Sequence, residues 1–128
     1  MAVLEGQNDV VGVYTLNAFA VREDHIETPK RPRPPPTIPA TYIKAVAVRD
    51  DMQGQGLGKA LMIHAMRQAL SIADKMGSAA IVLDVLRDTQ FDRRLAFYEN
   101  LGFRPLNDLE SPDRLYIGMN DVRATFRA

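Results

Sequence analysis

The chain has 128 residues, 46% of them hydrophobic, with sixteen basic residues against sixteen acidic ones and no cysteine. That size suits a single domain over residues 1–128, burying roughly two-thirds of the surface of its unfolded chain. Zero formal charge excludes recruitment of nucleic acid or anionic membrane by net field alone, and the lack of cysteine excludes disulfides, thiolate metal sites and a cysteine nucleophile.

In chain order, "AVLE" and "DVVGVYTLNAFAV" are rich in Val, Leu, Tyr and Phe and predict a β-hairpin that turns at Asn8 and Asp9. Residues 22–40 break the pattern with charges and hold six of the eight prolines, crowded into residues 29–39. Proline gives no ladder donor and favours extended backbone, so a loop is expected there. "TYIKAVAV" returns to strand character. From Leu57 to Met76, apolar residues at 57, 61, 65, 69, 72 and 76 mark one helix face, opposite His64, Arg67, Gln68, Ser71, Asp74 and Lys75. Gly77 is a natural stop for it. The apolar run "AAIVLDVL" suits a strand covered on both faces. A second helix is announced by Thr89 and Asp92 as a capping-box-like pair, carries Phe91, Leu95, Tyr98 and Leu101 on one stripe, and ends at Gly102. "FRPL" and "RLYIGM" read as closing strands. The order is strand, strand, strand, helix, strand, helix, strand, strand, without internal repeat, which is α/β or α+β with a mixed sheet.

No apolar run approaches the roughly 20 residues that span a bilayer, and no secretory-signal pattern opens the chain, so a cytoplasmic protein with no membrane partner is expected. The chemistry concentrates in "RDDMQGQGLGKALM", residues 49–62, where three glycines stand at alternate positions at the mouth of the long helix. Unencumbered backbone amides and the positive end of a helix dipole form an anion site there. A P-loop is excluded: counting back from Gly58-Lys59, its first glycine falls on Gln53 and its Mg²⁺-binding hydroxyl on Ala60. A dinucleotide fingerprint is excluded as well, because from Gly54 and Gly56 its last glycine falls on Lys59. Two readings remain: a metal-free pyrophosphate cradle made by the amides of Gly54, Gly56 and Gly58 with Lys59, or a glycine-rich turn that binds nothing.

Gln53-x-x-Gly56-x-Gly58 after "AVAV", followed by a long helix, a buried strand and "FYENLGF", resembles the Gcn5-related N-acetyltransferases over about residues 3–120. The resemblance implies an acyl-CoA N-acyltransferase fold, a mostly antiparallel mixed sheet flanked by helices, here lacking the family's first strand and two helices. It implies acetyl-CoA as cosubstrate, with Gln53, Gly54, Gln55, Gly56, Leu57, Gly58 and Lys59 gripping the pyrophosphate. It also implies that the pantetheine arm pairs along Val46, Ala47 and Val48, in a strand splayed by a β-bulge. The family's tyrosine maps to Tyr98, which would protonate the leaving thiolate as an amine attacks the thioester directly. No metal is called for. A phenol of pKa about 10 and a thiol of about 8.5 can share a proton without a large mismatch. The glutamate that many members use as base has no counterpart in "TYIKAVAV", which offers only Lys44, so proton removal falls to water, to backbone groups or to a partly neutral acceptor. The family's frequent asparagine before the second helix has no counterpart in "RDTQFDRR" either.

In layout the chain is most similar to the branch of toxins that acetylate aminoacyl-tRNA, which implies tRNA and an antitoxin as partners and leaves a homodimer open. Lys30, Arg31, Arg33, Arg93 and Arg94 are the residues that would supply a local basic face. A non-catalytic acyl-CoA-binding module is the alternative of another class. Each remaining residue has a structural reading beside its functional one. Tyr98 is a core residue of its helix stripe or the acid. Asp84 is a strand-end charge reaching solvent or a substrate-orienting group. His64 and His25 have no partner at ligand spacing and read as solvated. Arg33-x-x-Pro36-x-x-Pro39 is a stiff connection between strands or a polyproline ligand.

Overall fold

In a computed structural model, described for residues 2–3, 10–22, 37–48, 56–106 and 110–127, the elements run β1 (Ala2–Val3), β2 (Val10–Arg22), β3 (Thr37–Val48), α1 (Leu57–Met76), β4 (Ala80–Asp84), α2 (Phe91–Asn100), β5 (Arg104–Pro105), β6 (Arg114–Gly118) and α3 (Met119–Arg127). The strands make one sheet in the order β1-β2-β3-β4-β6-β5. Neighbours are antiparallel except β3 and β4, which run parallel because α1 carries the chain back across the sheet between them. No helix among the described residues is long and apolar enough to cross a membrane.

Alternation along the strands divides the apolar side chains between two faces. One face receives α1, whose buried residues are Leu61, Met62, Ala65, Met66, Ala69 and Ala73. The alanines let the helix lie close to Tyr14, Ile43, Ile81 and Leu83, and Val85, Phe103, Leu115, Ile117, Met119 and Val122 complete the cluster. Met62 and Met66 are each 1% exposed, so each contributes roughly 1.5–3 kcal/mol of burial. On the other face Val21, Ala40, Ala80, Val82, Leu106 and Tyr116 pack with Phe19 and Tyr42. There the Arg114 and Arg104 guanidinium groups lie over the Phe19 and Tyr116 rings at 4.9 and 5.6 Å.

The mixed sheet, the hairpin partners and the first long helix agree with the sequence, and Gly77 closes α1 in the left-handed region at φ 67°. Three details differ. The segment expected as a loop over residues 29–39 already belongs to β3 from Thr37. Pro39 is accommodated opposite Ala20, where its carbonyl accepts the Ala79 amide at 2.8 Å and no donor is demanded of it. The last proline of the Arg33-x-x-Pro36-x-x-Pro39 pattern therefore sits in a strand, while residues 23–36 lie outside the described residues, as do Asn8 and Asp9. The capping pair at Thr89 and Asp92 does not form: Gln90 precedes α2 without a side-chain cap, and the carboxylate of Asp88 accepts the Gln90 amide at 2.9 Å instead. A third helix, α3, follows the last strand. Its Met119 and Val122 are buried and Phe126 packs on the same cluster, a spacing of three and four that suits one helix face.

Candidate active site

β3 and β4 pair in register only at Thr41 with Ile81 and Tyr42 with Val82. Beyond them β3 stays with β2, and the edge of β3 that faces β4 is open from Ile43 onward among the described residues. Between Val13 and Thr15 of β2 the partners step from Ala47 to Lys44. Two residues of one strand thus span three of the other, which is a β-bulge at residues 45–46 and bends β3 away. Val46, Ala47 and Val48 lie on this diverging end. The bulge expected from the sequence is therefore present, and the parallel pair opens at its carboxyl ends, where ligands settle in parallel sheets.

Two helices begin beyond those carboxyl ends. Gly56, at φ 76°, is the N-cap of α1; it supplies no side-chain cap, and the first turn holds no acidic residue. A Cβ built at Gly56 or Gly58 meets nothing within 4 Å among the described residues, so no described atom crowds the side-chain positions of these two glycines. Leu57 and Gly58 are half-buried and Lys59 is exposed. Gln53, Gly54 and Gln55 lie outside the described residues. The cradle is thus visible for its Gly56–Lys59 half.

Between β3, β4 and α2 is a cavity of about 310 Å³ lined by Tyr42, Ile43, Lys44, Leu83, Asp84, Leu86, Arg94 and Tyr98. Tyr98 is half-buried. Its ring packs edge-on against Phe97 and Phe103 at 5.2 and 6.1 Å, and the residue lines the cavity. Burial pushes the phenol above its ordinary pKa, and the neighbouring Arg94 cation pulls the other way. Tyr98 is thus both a packing residue and a cavity residue.

Asp84 does not simply reach solvent. Its carboxylate takes a bidentate pair of bonds from Arg114, at 2.8 and 3.1 Å, and one from the Tyr42 hydroxyl at 2.7 Å. The register that sets Asp84 opposite Arg114 creates this contact. Arg114 holds the Asp84 carboxyl below the usual carboxylate range; burial, and then Asp84 itself, push Tyr42 up to about 12. Neither is therefore suited to take a proton near neutral pH. A second cavity of about 290 Å³, lined by Asn17, Ala18, Phe19, Tyr42, Lys44 and Arg114, adjoins the first through Tyr42 and Lys44. Sequence reasoning missed the Tyr42–Asp84–Arg114 group, because nothing but strand register brings these residues together.

Because the Asp84 pKa is depressed in the folded chain, its contribution to stability is complete above the unfolded value of about 3.9 and is lost as pH falls through the folded one. Asp84 is 36% exposed, so solvent screening limits the effect. Asp84→Asn is expected to cost about 1 kcal/mol at pH 7 and less at pH 3, which urea unfolding at the two pH values measures.

His64 is exposed, yet its Nδ1 lies 2.6 Å from the Tyr14 hydroxyl, so it ties α1 to β2 rather than standing free. His25 lies outside the described residues. Among those described, no three His, Asp or Glu side chains converge as a metal group would need. Of the candidate basic face, Lys30, Arg31 and Arg33 lie outside the described residues, Arg93 is exposed, and Arg94 is ion-paired with Asp88.

Residues 1–105 match the acetyltransferase (GNAT) domain family. The chain is 32% identical over 120 residues to a probable toxin TacT of Sinorhizobium fredii, covering 90% of this chain and 65% of that protein. It is also 32% identical over 117 residues to a tRNA-acetylating toxin of Mycobacterium tuberculosis, covering 90% and 66%. It thus spans somewhat under two thirds of the length of these relatives. Among solved structures, a tyrosine-to-phenylalanine mutant of the AtaT toxin, bound to the C-terminus of the antitoxin AtaR and to acetyl-CoA, shares the fold at a TM-score of 0.70 and 24% identity, over 92% of this chain and 64% of that one. A match running from the first residue to Pro105, on a sheet of the same build, makes this chain a member of the GNAT acetyltransferase domain family.

Proposed function

We propose that the chain is an acetyl-CoA-dependent N-acetyltransferase, working as one domain over residues 1–128, that moves an acetyl group to a primary amine by direct attack. The observation that carries the reading is the position of Tyr98, in a cavity at the opening of β3 and β4, on the side of the sheet where the glycine turn starts α1. In this reading the pyrophosphate rests on the amides of Gly56, Leu57 and Gly58, with Lys59 as counter-charge and Gln53, Gly54 and Gln55 completing the turn. The open edge of β3 at Val46, Ala47 and Val48 pairs with the pantetheine arm as an added strand. Tyr98 gives its proton to the sulfur that leaves. In this reading the acceptor amine arrives neutral, because the Asp84 carboxylate is occupied by Arg114 and Tyr42 and weakened as a base. Acetyl-CoA supplies the activated acetyl group, and no metal takes part.

One relative is named a tRNA-acetylating toxin, which favours an amine carried by tRNA as the acceptor, the free amine of aminoacyl-tRNA; an antitoxin as protein partner and a cytoplasmic setting belong to the same reading. Exposed Arg93 on α2 and Lys44 at the junction of the two cavities would be among the cations that meet tRNA phosphates. A homodimer fits this reading too and is tested by sedimentation.

The grip on acetyl-CoA is tested by thermal unfolding with chelator present. At 100 times its Kd the ligand is expected to add about 2.7 kcal/mol, and equal melting curves with and without it would remove the cofactor assignment. A non-catalytic binder would show the same stabilisation but no release of thiol with any amine.

A further inference from the structure

Arg94 stands four residues before Tyr98 on α2, so the two side chains share one helix face, and both line the cavity where β3 and β4 part. The guanidinium is ion-paired with the Asp88 carboxylate in the turn ahead of the helix, and that carboxylate also accepts the Gln90 amide at 2.9 Å. We propose that Arg94, tethered by Asp88, is the electrostatic partner of Tyr98, offsetting the charge that the phenolic oxygen acquires when its proton passes to the leaving sulfur. This rests on the acetyltransferase reading above and adds to it a positioning residue.

The need for such a partner follows from the proton transfer. The amine lone pair forms the new C–N bond at the thioester carbonyl and the C–S bond breaks, its electron pair staying on sulfur. Sulfur then takes the Tyr98 proton. The surplus proton on nitrogen goes to water, and water returns one to Tyr98, leaving amide and CoA thiol as the net products. A phenol of pKa about 10 is already a weaker acid than a thiol of about 8.5, and burial of Tyr98 widens the gap while Arg94 narrows it. The other charged or titratable groups lining the cavity are poorly placed to help. Asp84 and Tyr42 are tied to each other and to Arg114 from β6, and Lys44 on β3 is exposed. Glu99, beside Tyr98 on α2, is exposed as well and carries the wrong sign. Among the described residues lining the cavity, Arg94 is the one that joins an ion-paired cation to the helix face that bears the phenol.

The experiment compares Arg94→Met, Arg94→Lys, Asp88→Asn and Tyr98→Phe, and the Arg94→Met/Tyr98→Phe double variant. Each is measured for kcat against pH by thiol release and for acetyl-CoA affinity by calorimetry. Arg94→Met is expected to lower kcat about tenfold, the value of a tenfold weaker acid at most, and to move the alkaline limb of kcat to higher pH, with acetyl-CoA Kd little changed. Arg94→Lys restores most of kcat by restoring the charge. Asp88→Asn, which keeps the cation and frees it from its tether, slows kcat by a smaller factor, and the retained acetyl-CoA affinity of Arg94→Met rules out a fold defect as the cause of its loss. In the Tyr98→Phe background, removing Arg94 has no further effect. The proposal is overturned if Tyr98→Phe is slow while Arg94→Met keeps both the kcat and the limb of the unmodified protein, if the two effects multiply in the double variant, or if Arg94→Met mainly tightens acetyl-CoA, which would make Arg94 an obstruction. Normal turnover by Tyr98→Phe strikes the assignment of the acid itself, a separate failure.

Discussion

Replacing Tyr98 by phenylalanine is expected to slow acetyl transfer by roughly 10²- to 10⁴-fold, the range for a lost general acid, while acetyl-CoA binding stays nearly intact. The two readings of this residue give opposite results. Were Tyr98 only a packing residue, the variant would keep the edge-on ring contacts to Phe97 and Phe103. It would also keep the backbone carbonyl that receives the amides of Leu101 and Phe103. Turnover would then be unchanged, with at most about 1 kcal/mol lost from stability. Among the described residues no group holds the phenolic hydroxyl, so its removal leaves no buried partner stranded and the fold should hardly notice. If it is the acid, binding and turnover separate: calorimetry shows acetyl-CoA bound as before while thiol release collapses.

Gly58→Glu is expected to abolish acetyl-CoA binding and, at the same time, to leave the unliganded protein as stable as before or more so. A Cβ at Gly58 meets nothing within 4 Å, and the residue is not held at positive φ, so glutamate enters without strain. In the first turn of α1 it even gains up to about 1 kcal/mol of helix propensity over glycine and a favourable interaction with the dipole. Against a pyrophosphate, the same side chain places a negative charge and bulk across the amides that should bind it. Gly77→Glu, at the far end of the helix, is the control that must retain binding even where its φ of 67° makes it costly to stability. If Gly58→Glu still melts higher when acetyl-CoA is added, by as much as the unmodified chain does, the cradle is misplaced.

How much of this was legible depended on whether the determining contacts were local. The long helix was, since Leu61, Ala65 and Ala69 repeat on one face and those positions are buried; the buried stripe is nevertheless wider than that repeat, taking in Met62, Met66 and Ala73, while Leu57 and Ile72 are half-buried and Met76 is 51% exposed in the last turn. α3 left a signal in Met119, Val122 and Phe126 that went unread because nine residues directly behind a strand offer little periodicity. The start of β3 was hidden by the prolines: Pro39 looks like a loop residue, yet at this register its missing amide is not called upon. In the site, the glycine turn and Tyr98 could be found because each lies in a contiguous motif. Asp84 and Arg114 are 30 positions apart and meet only through the pairing of β4 with β6. The restraint of Arg94 depends on a turn conformation at Asp88 that a capping-box reading of Thr89 and Asp92 had assigned otherwise.

The measurement that bears most directly on the central claim follows free thiol and the mass of the acceptor together, when the protein is mixed with acetyl-CoA and a panel of primary amines that includes aminoacyl-tRNA. Thiol release matched one for one by an acceptor heavier by an acetyl group is expected in the presence of chelator, and is largely lost in Tyr98→Phe. Acetyl-CoA that stabilises the fold while no acceptor gains an acetyl group and no thiol appears would contradict it, leaving a binding module in place of an enzyme.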